Sequence, residues 1–68
     1  MTLTTRETEI LNLIWNGCQN SFMAKELGIS IRTVETHRRN IYRKLRVNNV
    51  AQLIQAAFDR KLITKEAS

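Results

Sequence analysis

The chain has 68 residues, eleven Lys and Arg against six Asp and Glu for a net charge of +5, one Cys, no Pro, and 43% hydrophobic residues. That length predicts one small domain over residues 1–68, and the hydrophobic share is too high for a disordered basic tail. A lone cysteine closes no internal disulfide, no Cys/His cluster offers a metal site, and no apolar run serves as a membrane span or secretory signal.

Four helices are predicted in chain order. Thr4 and Glu7 form a T-x-x-E capping box for a first helix over about 5–16. Ile10, Leu11 and Ile14 recur there at helical spacing, and Gly17 supplies the stop. Asn20 is the expected N-cap of a short second helix over about 21–27, with Phe22, Met23, Ala24 and Leu27 as its apolar stripe and Gly28 as its end. Ile29 is expected to return to the core. Ser30 then caps a third helix over about 31–46, whose core face is Ile31, Val34, Ile41 and Leu45. Asn48 is expected to cap a fourth over about 49–60, with Val50, Leu53, Ile54, Ala57 and Phe58 on one side, and Leu62 and Ile63 fold back after it. No stretch alternates apolar and polar residues over a strand length. The expected fold is all-α, a four-helix bundle around a central helix-turn-helix.

The positive charge is concentrated. Arg32, Arg38, Arg39, Arg43, Lys44 and Arg46 face only Glu35 in their segment, whereas the remainder, which includes Arg60, balances five cations with five acids. Advancing about 100° per residue, Val34, Ile41 and Leu45 fall within roughly 40° of one another. Arg32, Glu35, Thr36, Arg39, Arg43 and Arg46 gather on the opposite side. A short helix, a glycine-containing turn and a longer basic helix make a helix-turn-helix, whose second helix enters the major groove. Arg can bond guanine O6 and N7, a carboxylate can accept from cytosine N4, and a Thr methyl can pack on the thymine methyl. Arg39, Glu35 and Thr36 supply these chemistries and are the expected base contacts. Arg32, Arg38, Arg43, Lys44 and Arg46 are assigned to phosphates. Arg38 falls near the core edge, so its stem is expected over apolar surface with its head at a phosphate.

These residues resemble the LuxR-type helix-turn-helix domain of bacterial transcription regulators. Leu3, Thr4, Arg6, Glu7, Glu9, Ile10 and Leu11 match its opening, Gly17 and Asn20 its central pair, and Met23, Ala24 and Leu27 its short helix. The stretch from Ile29 to Leu45 matches its turn and recognition helix, and Val47, Ala51, Leu62 and Ile63 complete the pattern. The resemblance implies base contacts at Glu35, Thr36 and Arg39 and backbone contacts at Lys25, Thr33 and Arg38; Ser30 stands with the phosphate set. It also implies a homodimer through the fourth helix, for which the outer residues Val50, Gln52 and Gln55 are the candidates. Two positions depart from the pattern. Ser21-Phe22 replaces a usual Lys-Glu, and Lys61 replaces a common glycine, which predicts an altered final turn. Most relatives carry an additional N-terminal sensing domain, so the chain reads either as a single-domain member or as a C-terminal fragment.

The expected function is sequence-specific binding of double-stranded DNA for transcription regulation, in the bacterial cytoplasm at the nucleoid. RNA polymerase is a candidate partner; no cofactor, metal, small molecule or membrane is expected. The opening L-T-x-R-E followed by a helix-turn-helix also resembles the promoter-reading domain of a sigma factor, but the capped fourth helix argues against that. A helix-turn-helix interaction module without DNA binding is disfavoured by the concentrated cationic face. An enzyme is not expected: His37 has no nucleophile or second base at useful spacing and reads as a packing residue. Cys18 reads as an inert loop thiol. Trp15 reads equally as partial core or as a contact to another domain.

Overall fold

The computed structural model describes residues 2–63; Met1 and residues 64–68, the two ends of the predicted domain, lie outside the described residues. The order is α1 (Thr5–Trp15), α2 (Asn20–Leu27), α3 (Ile31–Leu45) and α4 (Val50–Asp59), with no strand among the described residues. Each helix lies within about one residue of its expected bounds, inside the ordinary fraying of helix ends. The third helix is central and packs on the other three.

Local capping chemistry sets the starts. The Thr4 hydroxyl accepts from the Glu7 amide at 3.1 Å and the Glu7 carboxylate accepts from the Thr4 amide at 2.9 Å, so the capping box is complete. The Ser30 hydroxyl accepts from Thr33 N–H at 3.0 Å. Two caps differ from expectation. The residue capping α4 is Asn49, whose Oδ1 accepts from Gln52 N–H at 2.8 Å, while Asn48 donates its own N–H to Gln52 Oε1 at 2.8 Å. Adjacent asparagines offer the same side-chain acceptor, and the extended backbone of Asn49 selects between them. The N-cap of α2 is Gln19, without a side-chain bond, and Asn20 is the first helical residue.

All four helices end the same way. The amides of Cys18, Ile29, Val47 and Leu62 donate to the carbonyls of Leu13, Ala24, Tyr42 and Ala57, five residues back, at 2.8–3.0 Å. The residue before each donor has a positive φ: Gly17 at 81°, Gly28 at 68°, Arg46 at 57° and Lys61 at 59°. This is the Schellman closure, which satisfies carbonyls that the helix end would leave unpaired. The Gly28 closure makes the turn between α2 and α3 only three residues long. Contrary to expectation, the final turn keeps the left-handed form with Lys61 in it. A side chain there costs about 1 kcal/mol, partly offset by the restriction of the unfolded chain. Lys61→Gly is therefore expected to stabilise the fold by about 0.5 kcal/mol, raising the midpoint of thermal unfolding by about 2–4 °C, as calorimetry would measure.

The core consists of Ile10, Leu11 and Ile14 of α1, Met23 and Ala24 of α2, Val34, Ile41 and Leu45 of α3, Leu53 and Ala57 of α4, and Ile63. Leu27, Ile29, Ile54 and Phe58 pack on it partly buried. Four large apolar residues are exposed: Phe22 at 50%, Ile31 at 47% and Leu62 at 37%, which were expected in the core, and Val50 at 47%, an expected outer residue of the fourth helix. Three of them sit in the first turn of α2, α3 or α4, where the helix begins before it meets a neighbour. Trp15 packs its ring edge-on against Phe58, centroids 4.8 Å apart and planes at 85°, joining the ends of α1 and α4.

Among the described residues, one charged side chain lies in the interior. Glu7 is 3% exposed, and its Oε1 accepts from Lys44 Nζ at 2.7 Å. Burial pushes the Glu7 carboxyl up, but the Lys44 ammonium together with the Thr4 amide and hydroxyl outweighs it and holds the group below the usual glutamate range. Lys44 Nζ also reaches the Thr2 carbonyl at 3.4 Å.

Candidate nucleic-acid interface

The third helix is amphipathic because its sequence alternates faces at helical spacing: Val34, Ile41 and Leu45 are buried, while Arg32, Glu35, Thr36, Arg39, Arg43 and Arg46 are exposed. The three expected base-contacting residues share that exposed side. The Thr36 hydroxyl donates back to the Arg32 carbonyl at 3.1 Å. Its polar atom is thereby satisfied within the helix, and the methyl is the group left to present outward. Glu35 and Arg39 form no side-chain hydrogen bond or ion pair with any described residue and are open to an external partner.

Beside them, the first helix of the motif is tied to the second. Arg38 Nη1 donates to Asn20 Oδ1 and Nη2 donates to Tyr42 Oη, both at 3.2 Å, and the guanidinium carbon stands 5.8 Å from the Tyr42 ring centroid. Asn20, Glu35, Arg38, Arg39 and Tyr42 line one groove of about 330 Å³. Asn20 and Tyr42 thus belong to the neighbourhood of the expected contact residues. Sequence spacing gave Asn20 only as a cap and Tyr42 no role, because their shared partner becomes visible only once α2 and α3 cross.

The expected phosphate residues divide by their partners. Lys25 and Arg32 are exposed, and Arg46 is exposed at the left-handed C-cap. Ser30 and Thr33 share a hydroxyl–hydroxyl bond of 2.9 Å at the start of α3. Arg43 donates to Asn40 Oδ1 at 2.9 Å, a neutral group that leaves its charge uncompensated. Lys44 differs: its ammonium is engaged by Glu7 and its side chain is only 18% exposed, so it serves the α1–α3 junction, and its charge is already matched. The reason lies in its angular position, on the flank of α3 facing the start of α1. On α4, the expected interface residues Val50, Gln52 and Gln55 are all exposed. Gln52 is occupied at the cap, and Gln55 Nε2 donates to Asp59 Oδ1 at 3.2 Å. His37 is half-buried, as is the free thiol of Cys18. No group of His, Cys, Asp and Glu among the described residues could hold a metal ion, and no described helix is long and apolar enough to cross a membrane.

Comparison with known proteins gives the same architecture and class. The transcriptional regulatory protein MctR of Rhizobium johnstonii is 44% identical over 63 residues, which is 93% of this chain and 29% of that protein. The uncharacterized response regulatory protein YgeK of Escherichia coli is 51% identical over 55 residues, 81% of this chain and 37% of that protein. The crystal structure of the response regulator ChrA, from a heme-sensing two-component system, superposes with a TM-score of 0.87 at 43% identity, covering 93% of this chain and 31% of that one. The chain therefore spans well under half the length of each of these proteins. Each of these proteins is named as a regulator. The family model described as bacterial regulatory proteins, luxR family, matches residues 1–57, and the chain belongs to that family and carries its DNA-binding helix-turn-helix fold.

Proposed function

We propose that this chain binds double-stranded DNA sequence-specifically in transcription regulation, with α3 in the major groove, Glu35, Thr36 and Arg39 at base edges, and Lys25, Ser30, Arg32, Thr33, Arg38, Arg43 and Arg46 at phosphates. Lys44 is left out of the phosphate set because Glu7 already holds it. The observation that carries the reading is the grouping of an acid, a threonine methyl and an arginine, all exposed on one side of a helix flanked by cations, with Glu35 and Arg39 free of side-chain partners among the described residues. Those are the donor, acceptor and methyl-packing groups that distinguish base pairs in the major groove. A single recognition helix reads few base pairs, so the proposal includes a homodimer through the exposed side of α4 at Val50, Gln52 and Gln55, on two half-sites about one helical turn apart. RNA polymerase is a further proposed partner, with action at the nucleoid in the cytoplasm.

Selection of bound DNA from a random pool tests the reading. The expected product is an enriched motif with two related halves separated by about ten base pairs. An enriched single half-site would sink the dimer, and a pool that stays random at low salt would sink the DNA reading itself.

A further inference from the structure

By sequence, Arg60 belongs to the electrically balanced part of the chain. The fold moves it out of that company. It caps the C-terminus of α4 and, with Arg43, Lys44 and Arg46, lines a groove of about 390 Å³ at the C-terminal end of α3. No carboxylate among the described residues lines that groove. Lys44 is neutralised by Glu7. Arg43 meets only the neutral Asn40 side chain, and neither Arg46 nor Arg60 forms a side-chain hydrogen bond or ion pair among the described residues. Three arginines from the ends of two helices, without a charged partner among the described residues, therefore line one groove.

Cations near a helix C-terminus are favourable to its dipole, and this accounts for each arginine taken singly. It does not account for their convergence, since like charges repel and either helix could direct its cation elsewhere. Guanidinium forks match phosphoryl oxygens in pairs of parallel hydrogen bonds, which three such groups can supply from several directions. The position also fits. Thr36, Arg39, Arg43 and Arg46 follow one another at intervals of three and four residues along the exposed side of α3, and Arg60 shares a groove with the last two of them.

We propose that Arg43, Arg46 and Arg60 form a phosphate-binding site at the α3–α4 end of the molecule, with Arg60 as a contact that the sequence does not reveal. The phosphate is a DNA backbone group, an assignment that rests on the proposed DNA binding, or it is a free phosphorylated anion; two experimental arms separate the sources.

In the first arm, the affinity of the chain for its selected DNA is measured as a function of salt for the wild type, Arg60→Gln and Arg60→Lys. Each neutralised phosphate contributes about 0.9 to the slope of log affinity against log salt. The glutamine variant is expected to lose that increment, so that its affinity falls about 3–4-fold less than the wild type's between 50 and 200 mM salt. The lysine variant is expected to keep it, and base preference is expected to stay unchanged in both. In the second arm, inorganic pyrophosphate is titrated into the chain without DNA and followed by amide chemical shifts. A slope that responds to Arg60→Gln supports the site with DNA as the source. An unchanged slope with pyrophosphate binding lost in Arg60→Gln supports the site with a free anion as the source. Binding of pyrophosphate that needs Arg60, in a chain that binds no DNA, would remove the DNA reading and leave the site standing. If neither the slope nor pyrophosphate binding differs between wild type and Arg60→Gln, the proposal is overturned. Arg60 is exposed, so all variants are expected to fold, as circular dichroism would verify.

Discussion

Arg39→Ala is expected to weaken binding to the selected DNA by about 1–3 kcal/mol and to relax preference at one base pair. The reasoning begins with exposure. Arg39 stands open on α3 beside Glu35, with no partner among the described residues to hold its guanidinium. Truncation therefore removes an external contact without disturbing an internal one, and the stability of the free domain should stay within about 0.5 kcal/mol of wild type. Arg43→Ala supplies the contrast. It should weaken all sequences alike and lower the salt slope by about one. Repeating the selection with both variants, and measuring affinity against salt, distinguishes base reading from phosphate contact. A uniform loss across sequences for both would remove Arg39 from the base-contact set.

Glu7→Ala is expected to destabilise the fold by about 2–3 kcal/mol, since it removes the acceptor of a capping box and strands a partly buried ammonium. For a domain of this size that corresponds to a drop of about 10–20 °C in the thermal midpoint. The effect has a pH signature. The folded-state pKa of Glu7 lies below its unfolded value, so the stabilisation is complete above the ordinary glutamate range, near pH 4.3, and is lost as pH falls through the lower folded value. Denaturant titrations at stepped pH should show the wild type losing stability in that acid window. Glu7→Gln should show a shallower dependence there. Equal slopes would mean that the Lys44–Glu7 pair contributes nothing to acid sensitivity.

What was legible in the sequence was local. Thr4 and Glu7, Ser30 and Thr33, and Gly28 before Ile29 are close in the chain, and their chemistry determines helix ends without knowledge of the rest. The amphipathic period of α3 also survives in any context, which is why Val34 and Ile41 are buried and Glu35, Thr36 and Arg39 are exposed. What was not legible depends on distant partners. Lys44 reads as one more cation of a basic run until Glu7, far away in sequence, is brought to it. Arg60 reads as neutralised until the end of α4 comes to lie beside Arg46. Ile31 has the right phase for the core, but phase says nothing about whether a neighbour covers the first turn. Lys61 departs from the common glycine, yet the closure it occupies is also made at Arg46, so backbone hydrogen bonding outweighs the side-chain cost at both places.

The edge-on stack of Trp15 on Phe58 has an optical consequence. Trp15 is the only tryptophan in the chain, so its emission comes from a single site. Separation of α1 from α4 would move the indole from an aromatic neighbour into water and shift its fluorescence to the red. Neither helix carries the proposed base-contacting residues, and a phosphate held at Arg60 leaves the Trp15–Phe58 contact packed, so DNA added to the folded protein should not reproduce that red shift. The native chain thus contains a label-free signal by which loss of folding can be told apart from loss of DNA binding in every variant described above.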